Sequence, residues 1–249
     1  MPESREPSPT ASVDAAREQR HAAREQRHAA REQRHAAREQ RHAAREQQFA
    51  AREQQFAELR PLIEGRTIAV GVCAGIASYK VCSVVSALAQ CGAQVTVAMT
   101  ADAQRFVTPL VFQSLSGRAV IASPWESASP ADPQHIRIAS AVDLYLIAPC
   151  TMDMLARLAG GRCDDAVSLL AASIDRSRAP VLLAPSMNEA MWRQPATRRN
   201  LATLRDDGFA VLDPASGWQA CRSIGPGRLP EPDELLGAIS ESLRGRAAP

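Results

Sequence analysis

The stretch that decides the fold is PSMNEAMW, residues 185–192. It directly follows the apolar run PVLLA, residues 180–184, which is typical of a strand buried in a parallel sheet. Proline ends the strand, and Asn188 can cap a helix that begins after it. The carboxyl edge of such a sheet is where open α/β folds bind their ligands. The stretch therefore predicts a strand, a cap and a helix beside a ligand site.

The side chains of this stretch allow two interpretations. The carboxamide of Asn188 carries both donors and an acceptor, which suits a substrate carboxylate or amide. Met191 and Trp192 could then form an apolar lid over the ligand. Spacing alone favours the plainer interpretation, an ordinary junction between strand and helix whose Met and Trp belong to the core. The rest of the chain is needed to decide between them.

From residue 67 to residue 243 the chain alternates short apolar runs with helical segments. The apolar runs lie at residues 67–72, 94–100, 144–148, 180–184 and 209–212. This alternation predicts an α/β fold, a doubly wound parallel sheet between two layers of helices, of flavodoxin or Rossmann type. Residues 106–117 predict an apolar helix that is broken at Pro109 and lies largely in the core. The Gly- and Pro-rich segment 217–232 predicts a mobile flap.

The N-terminal part of the chain differs in composition from the rest. Residues 1–15 are rich in Pro, Ser and Ala and predict disorder, and after them the chain repeats REQRHAA almost without change. These residues favour a helix, but its alanine seam buries too little area for a strong coiled coil. We expect a solvated helix that becomes amphipathic only near Phe49 and Phe56. The predicted domains are an extension, residues 1–64, and a folded domain, residues 65–249.

Composition and charge argue against several classes of protein. The formal net charge of +2 gives no electrostatic argument for nucleic acid. No apolar run approaches the roughly 20 residues of a membrane-spanning helix, and the N-terminus lacks the apolar core of a secretory signal. The six cysteines include no CxxC pair, and the repeated histidines are too widely spaced for one chain to chelate a metal. We expect no metal site, no nucleic-acid or membrane partner, and a reduced cytoplasmic protein whose thiols are mostly buried.

Four further positions suit chemistry, each with a plainer alternative. Gly75 follows the first strand, where close backbone approach and free helix amides can bind phosphate, or where the chain simply turns. Thr100 ends the second strand and could reach the same phosphate or cap the next helix. His135 ends a Ser- and Pro-rich loop and could act as a base, although a lone histidine is more often structural. Cys221 lies in a polar loop, where its thiol alone among the six is expected to be exposed.

Taken in order, these blocks resemble the flavin-dependent cysteine decarboxylases, a family that includes phosphopantothenoylcysteine decarboxylase. The central octet matches the family's Pro-x-Met-Asn-x-x-Met-Trp signature, and the resemblance covers nearly all of the predicted folded domain. It implies an FMN cofactor, catalytic roles for His135, Asn188 and Cys221, and substrate contacts from Asn188, Met191 and Trp192. The positions that the resemblance implies for FMN binding are Gly75, Ile76, Ala77, Thr100, Thr151 and Asp153.

The resemblance implies a carboxy-lyase of coenzyme A biosynthesis that converts 4'-phosphopantothenoylcysteine to 4'-phosphopantetheine. In the implied mechanism the cysteinyl side chain is oxidised to a thioaldehyde with His135 as base, CO2 leaves, and Cys221 supplies a proton when the enethiol is reduced. Asn188 would orient the substrate carboxylate or amide. A homotrimer, or a multiple of trimers, is also implied. The ligase that joins cysteine to phosphopantothenate is expected as a separate protein, because the chain ends at Pro249. Residues 1–60 are expected to be dispensable for FMN binding.

Three departures from the family pattern leave the substrate open. Relatives that use a phosphorylated substrate tend to carry an arginine where this chain has Ser140, with Arg137 nearby. Met152 is bulkier than usual in the turn along the flavin, and Arg222 replaces the glycine that follows the flap cysteine. The first alternative is a decarboxylase of a peptide's C-terminal cysteine, a branch that stops at the enethiol; Cys221 argues against it. The second is a non-catalytic FMN-binding regulatory subunit, and the complete catalytic set argues against that.

Overall fold

The computed structural model describes residues 9–125 and 133–244. The chain divides into two compact units, one that ends at Gln55 and one that begins at Phe56. The first helix, α1 (Pro9–Ile63), supplies the described part of the first unit and the opening turns of the second. Helical structure from Pro9 onwards differs from the disorder expected for residues 1–15, of which residues 1–8 lie outside the described part. No helix among the described residues is long and apolar enough to cross a bilayer.

The second unit is built on a sheet of five parallel strands. The strands are β1 (Thr67–Val72), β2 (Gln94–Met99), β3 (Leu144–Cys150), β4 (Val181–Pro185) and β5 (Ala210–Val211). Their order across the sheet is β2-β1-β3-β4-β5, so the direction of winding reverses at β1. This is the doubly wound, flavodoxin-like arrangement that the sequence predicts, and it is confirmed.

Helices cover both faces of the sheet. On one face lie α2 (Ser78–Gln90), α3 (Pro109–Ser116) and α9 (Pro232–Leu243); on the other lie α4 (Gln134–Ala141), α5 (Met152–Ala159), α6 (Ala166–Ser173) and α8 (Pro195–Asp206). A short helix, α7 (Glu189–Trp192), follows β4. Two apolar clusters fill the spaces between the sheet and the two helical layers. The three-layer α/β/α architecture is therefore confirmed.

The strands read as continuous apolar runs because both of their faces are buried. Successive residues of a strand point to opposite faces, so Ile68 and Val70 of β1 enter one cluster while Ala69 between them enters the other. Leu144 and Tyr145 of β3 divide in the same way. A strand covered on one side only would alternate apolar and polar residues.

The folded unit begins earlier than the expected boundary at residues 64–65. Phe56, Leu59 and Ile63 are buried in the cluster shared with α2 and α9. In the preceding repeat, the side chains described between residues 31 and 54 are exposed, as expected for a solvated helix. His35 and His42 lie 3.3 Å from the glutamates one turn further on, an arrangement that adds little stability at such exposure. A deletion of residues 1–60 would therefore remove part of the core.

The segment around Pro109 differs from the expected broken core helix. Pro109 begins α3, where the missing N–H is not needed, and Phe106 closes a preceding 3-10 helix, Ala101–Arg105. Phe112 is buried, but Phe106 and Leu110 are 52% and 67% exposed. The sequence pattern was misleading because it does not separate a buried apolar face from an exposed one.

The Gly- and Pro-rich segment forms a hairpin that packs on the octet. Its strands β6 (Ala215–Trp218) and β7 (Ile224–Arg228) pair antiparallel. The N–H of Met187 donates to the carbonyl of Gly227 over 2.9 Å. Gly227 has φ of +116°, and a Cβ there would clash with the carbonyl oxygen of Met187. Only glycine allows the hairpin to approach this closely.

Truncation separates the extension from the folded unit. Removal of residues 1–55 should leave the melting temperature of the folded unit nearly unchanged. Removal of residues 1–63 should lower the melting temperature, because this deletion takes away Phe56, Leu59 and Ile63. The burial of each of these side chains stabilises the folded unit by about 1.5–3 kcal/mol. Thermal unfolding followed by circular dichroism makes the comparison, and Ile63→Ala in the full chain should cost about 2–5 kcal/mol. Equal melting temperatures for the two truncated proteins would contradict the assignment.

A methyl group at Gly227 should undock the hairpin. Gly227→Ala places a Cβ against the Met187 carbonyl and strains the backbone by about 1–3 kcal/mol. We expect the Met187 amide, which loses its hydrogen bond, to exchange with deuterium faster. The matched control is Gly237→Ala, on the exposed face of α9 with nothing within 4 Å of the new Cβ. That change should be neutral or stabilise by about 0.5–1 kcal/mol. Unchanged protection of the Met187 amide in Gly227→Ala would show that the hairpin is held elsewhere.

Candidate functional site

A cavity of about 970 Å³ opens at the carboxyl edge of the sheet. The loops that follow β1, β2, β3 and β4 form its wall, and the hairpin covers one side. The cavity lies at the point where the strand order reverses, since β1 has β2 on one side and β3 on the other. Open α/β sheets bind their ligands at this place. The lining includes nine residues expected from the sequence, namely Gly75, Ile76, Ala77, Thr100, Thr151, Asp153, Asn188, Met191 and Cys221.

The turn between β1 and α2 can hold an anion. Helix α2 follows Ala77, whose methyl group gives its first turn no side-chain cap. The buried hydroxyl of Ser78 donates to the carbonyl of Gly75 over 2.6 Å and to that of Cys73 over 3.0 Å, which shapes the turn. At Gly75 a Cβ would meet protein only at 3.6 Å, so the space above this glycine belongs to the cavity. Ser78 was missed by the sequence analysis, because a serine at a helix start is too common to single out.

Thr100 and Thr151 both cap the element that follows them. Thr100 Oγ1 accepts from the Ala103 N–H over 3.3 Å, and Thr151 Oγ1 accepts from the Met154 N–H over 3.2 Å. A hydroxyl that accepts in this way still has its own hydrogen to donate. Both threonines can therefore cap a helix and donate to a ligand in the cavity.

Asn188 caps α7, as the sequence predicts. Its Oδ1 accepts from the Met191 N–H over 2.9 Å, and the hydroxyl of Thr197 donates to the Met191 carbonyl over 2.7 Å. Because Oδ1 already accepts from the helix, the group of Asn188 best placed to bind a ligand is its NH2, which donates. This arrangement favours a ligand group that accepts, such as a carboxylate or a carbonyl oxygen.

The two apolar residues of the octet separate. Met191 lines the cavity and is 38% exposed, which suits a lid. Trp192 does not line it; the indole packs against the cluster beneath α5, α6 and α8 and borders a smaller cleft of about 440 Å³. Arg193, Arg198 and Arg205 also border this smaller cleft. Of the two residues expected to form a lid, Met191 thus lines the cavity and Trp192 does not.

His135 lies apart from the cavity within the described chain. It occupies the first turn of α4 rather than the end of a loop, and it is half-buried. It is not part of the cavity lining among residues 9–125 and 133–244. Most of the Ser- and Pro-rich loop before it, residues 126–132, is outside the described part. Ser140 donates to the Arg137 carbonyl over 2.9 Å within the same helix.

Cys221 lies in the turn of the hairpin with an exposed thiol. A hydrogen bond to Ser223, 3.0 Å away, stabilises the thiolate and holds the pKa of Cys221 below its ordinary value. Burial instead raises the pKa of Cys73 and of Cys150, which keeps those thiols protonated. Cys163 is exposed as well, so the expectation that Cys221 alone would be exposed is wrong.

Arg222 keeps the backbone conformation that glycine favours. Its φ is 65°, in the left-handed region, and it is the one non-glycine residue with positive φ in the described ranges. An L-residue there costs about 1–2 kcal/mol. The turn beside Cys221 therefore has a conformation that suits glycine and carries strain at Arg222.

Acidic residues on the cavity wall are gathered around one guanidinium. Arg157 lies 2.7 Å from Asp153, 2.5 Å from Asp164 and 3.5 Å from Asp165. Asp165 also caps α6 through the N–H groups of the first turn, so it is structural. Asp153 is not the cap of α5, since Thr151 has that role. Arg157 was missed, although its spacing of four residues from Asp153 on one helix is a usable signal.

A second ion pair ties α2 to the base of the hairpin. Lys80, which is buried and lines the cavity, lies 2.7 Å from Glu231, and Arg228 lies 2.8 Å from the same carboxylate. The hydrogen bond from Lys80 holds the pKa of Glu231 below its ordinary value. No sequence pattern predicts this contact between residues so far apart in the chain.

These features fit a ligand with a phosphate and a flat aromatic ring. The uncapped start of α2, with Thr100 beside it, would hold the phosphate. Ile76, Met191 and Trp218 offer apolar surface to a ring, and the cavity volume matches pockets for ligands of this size. The residues present are thus compatible with a flavin nucleotide.

Sequence comparison finds close relatives among two-function proteins. The "Coenzyme A biosynthesis bifunctional protein CoaBC" of Mycolicibacterium smegmatis is 46% identical over 182 residues, which cover 73% of this chain and 42% of that protein. Its counterpart in Vibrio vulnificus is 42% identical over 174 residues, which cover 70% of this chain and 43% of that protein. The chain thus spans less than half the length of these relatives.

Solved structures share the fold. The FMN-dependent cysteine decarboxylase SpaF is 28% identical with a TM-score of 0.64, and the match covers 75% of this chain and 99% of SpaF. TvaF, the cysteine decarboxylase from thioviridamide biosynthesis, is 33% identical with a TM-score of 0.55 over 59% of this chain and 90% of TvaF. A PPC decarboxylase variant complexed with pantothenoylaminoethenethiol, at 23% identity and a TM-score of 0.62 over 70% of this chain and 96% of its own, supports the fold alone.

The sequence model of the family described as Flavoprotein matches residues 57–244. The match begins at the start of the folded unit and ends with the last helix. A flavin is the cofactor that this family implies, in agreement with the chemistry of the cavity. The chain therefore belongs to the Flavoprotein family.

Proposed function

We propose that the protein is an FMN-dependent decarboxylase that converts 4'-phosphopantothenoylcysteine to 4'-phosphopantetheine in coenzyme A biosynthesis. The observation that carries the proposal is the meeting of the Asn188 carboxamide and the Cys221 thiol at one cavity with an anion-binding turn. The CoaBC relatives support the same reaction. Bound FMN would accept two electrons from the cysteine side chain and return them after CO2 has left, so that the net reaction is redox neutral.

Asn188 would orient the substrate. Its NH2 group can donate to the carboxylate that is lost as CO2, or to the adjacent amide carbonyl. A neutral donor holds a carboxylate without the strong attraction of a cation, which would oppose release of CO2. Met191 would cover the bound cysteine and exclude water.

Cys221 would complete the reaction by giving its S–H proton to carbon as the enethiol is reduced. The hydrogen bond from Ser223 stabilises the thiolate that remains. The thiol is exposed at the cavity, so solvent can return the proton before the next cycle. A residue at this position that could not donate a proton would leave the enethiol as the product.

His135 would act as the base from a neighbouring subunit of a homotrimer. Exposed apolar side chains support assembly: Ile76 and Tyr79 line the cavity at the start of α2, Phe106 and Leu110 lie around the start of α3, and all four are more than half exposed. A cyclic assembly can bring α4 of one copy to the cavity of another.

The cytoplasmic location and the separate ligase stay predictions.

Decarboxylation of a peptide's C-terminal cysteine is the second candidate, favoured by the match to the cysteine decarboxylases SpaF and TvaF.

Purified protein should release CO2 from 4'-phosphopantothenoylcysteine and give the saturated thiol. Release from a cysteine-ending peptide alone, with the enethiol as product, would favour the second candidate. No release from either compound by flavin-loaded protein would point to a regulatory subunit.

Substitutions at Asn188 test its role as a hydrogen-bond donor to the substrate separately from its role as the cap of α7. Asn188→Asp keeps the oxygen that caps α7 and loses the NH2 donors, whereas Asn188→Ala loses both. We expect CO2 release to fall at least about tenfold in both variants, since a hydrogen bond to a charged group is worth about 1.5–3 kcal/mol. The free energy of unfolding should fall by about 1 kcal/mol in Asn188→Ala only. Full activity in Asn188→Asp would remove the proposed donor role.

Mixed assemblies test whether the site is shared. Prepared alone, the His135→Asn protein should lose at least about 100-fold in CO2 release and the Asn188→Asp protein at least about tenfold. Co-expressed in equal amounts, they should recover activity at about a quarter of the sites of a cyclic assembly, because some sites then combine an intact His135 with an intact Asn188. A mixture no more active than its components would place His135 and Asn188 of one site in the same chain.

A further inference from the structure

Gln219 is a buried polar residue in an otherwise exposed hairpin turn. It is 7% exposed, while its neighbours Trp218, Cys221 and Arg222 are exposed. A buried amide costs free energy unless its donors and acceptor are satisfied. Both ends of the Gln219 side chain do find partners, and those partners lie on three different parts of the site.

The donor end crosses the hairpin. Gln219 Nε2 donates to the Pro226 carbonyl over 2.7 Å and to the Gly225 carbonyl over 3.4 Å. The backbone closes the same turn, since the Gln219 N–H donates to the Ser223 carbonyl over 2.8 Å and the Arg222 N–H donates to the Gln219 carbonyl over 2.9 Å. The turn that carries Cys221 is thus fixed to β7.

The acceptor end joins the thiol to the octet. Gln219 Oε1 accepts from the Glu189 N–H over 3.3 Å, and Glu189 directly follows Asn188. The same oxygen lies 3.4 Å from Cys221 Sγ and 3.4 Å from Ser223 Oγ, both of which can donate to it. One oxygen therefore contacts the thiol, the hydroxyl beside the thiol and the first residue of α7.

We propose that Gln219 is a positioning residue that holds the Cys221 thiol at a fixed place relative to Asn188. The inference rests on the proposed function, in which Asn188 acts before CO2 leaves and Cys221 acts after it. The Cys221 S–H proton has to reach a carbon of the enethiol before that product escapes, and a shift of about 1 Å can slow such a step by about a hundredfold. Gln219 lines the cavity, but its amide oxygen and nitrogen are engaged by protein groups, so the earlier step should depend on it less than the proton transfer does.

The test is the ratio of the two products in Gln219→Leu, which keeps the side-chain bulk and removes every side-chain hydrogen bond. We expect CO2 release within about threefold of wild type, and a fraction of saturated thiol at least about tenfold lower, with the enethiol in its place. A purely structural role would lower CO2 and thiol together, and that result would overturn the proposal. An unchanged product ratio would overturn it as well.

Two further proteins keep the test decisive. Gln219→Glu retains the length and the acceptor oxygens of the side chain but loses the donor to Pro226. It should therefore lower the fraction of saturated thiol by less than Gln219→Leu does. This variant keeps the test available if Gln219→Leu folds poorly. Gln90→Leu removes a glutamine that bonds only within α2 through its side chain and should leave the ratio unchanged.

A readout without substrate separates this proposal from the proposed function. In Gln219→Leu the Glu189 amide loses its acceptor, and its hydrogen exchange should become at least about tenfold faster. Faster exchange of the Glu189 amide in Gln219→Leu, together with no CO2 release by wild-type protein, would refute the proposed function. The contact between Gln219 and Glu189 would still be supported. Unchanged exchange would refute the positioning role whatever the protein catalyses.

Discussion

At the carboxyl edge of the sheet, the free N–H groups of each following helix or turn need an acceptor, and the rest of the site depends on how they obtain one. Thr100, Thr151 and Asn188 each supply a side-chain oxygen to the element that follows their strand. The groups left over at these three positions are hydrogens on a hydroxyl or an amide. The start of α2 has no such cap and adds its own N–H groups. The cavity wall is therefore rich in donors, which suits ligands that carry phosphate or carboxylate.

The hairpin turns this open edge into a covered site, and it is held by contacts of unequal strength. Buried amide hydrogen bonds, such as those of Gln219 and of Met187 with Gly227, each contribute about 1 kcal/mol. The ion pair of Lys80 with Glu231 contributes less, because Glu231 is half exposed and solvent screens the attraction. The strained backbone at Arg222 works against them. The side of the cavity that carries Cys221 is thus fixed chiefly by close backbone contact at Gly227 and by one glutamine.

Two of the three side chains that we propose to be catalytic lie at the cavity of one chain. The carboxamide and the thiol meet there, whereas His135 lies in α4 outside the lining of the described residues. Apolar side chains of α2 and α3 are exposed, including Tyr79, which lines the cavity, and Leu110. A neighbouring copy that covered these side chains could at the same time bring the His135 imidazole of its own α4 to the cavity, so that assembly and the proposed activity would depend on the same surface.

The sequence by itself determined the layers of the fold and the edge at which the site lies. Strands buried on both faces must be apolar along their whole length, and parallel strands must all end on the same side, so the runs before Gly75, Thr100, Thr151 and Asn188 already predict that those residues gather. Tertiary structure alone decided which apolar residues are covered, as the exposure of Phe106 and Leu110 shows. It also decided that Trp192 turns away from the cavity, that Lys80 pairs with Glu231, and that Gln219 joins the thiol to the octet. The physical reason is that hydrophobic periodicity and secondary-structure propensity depend on residues that are close in the chain. These contacts instead join distant segments, and the packing of the whole fold decides how closely those segments approach.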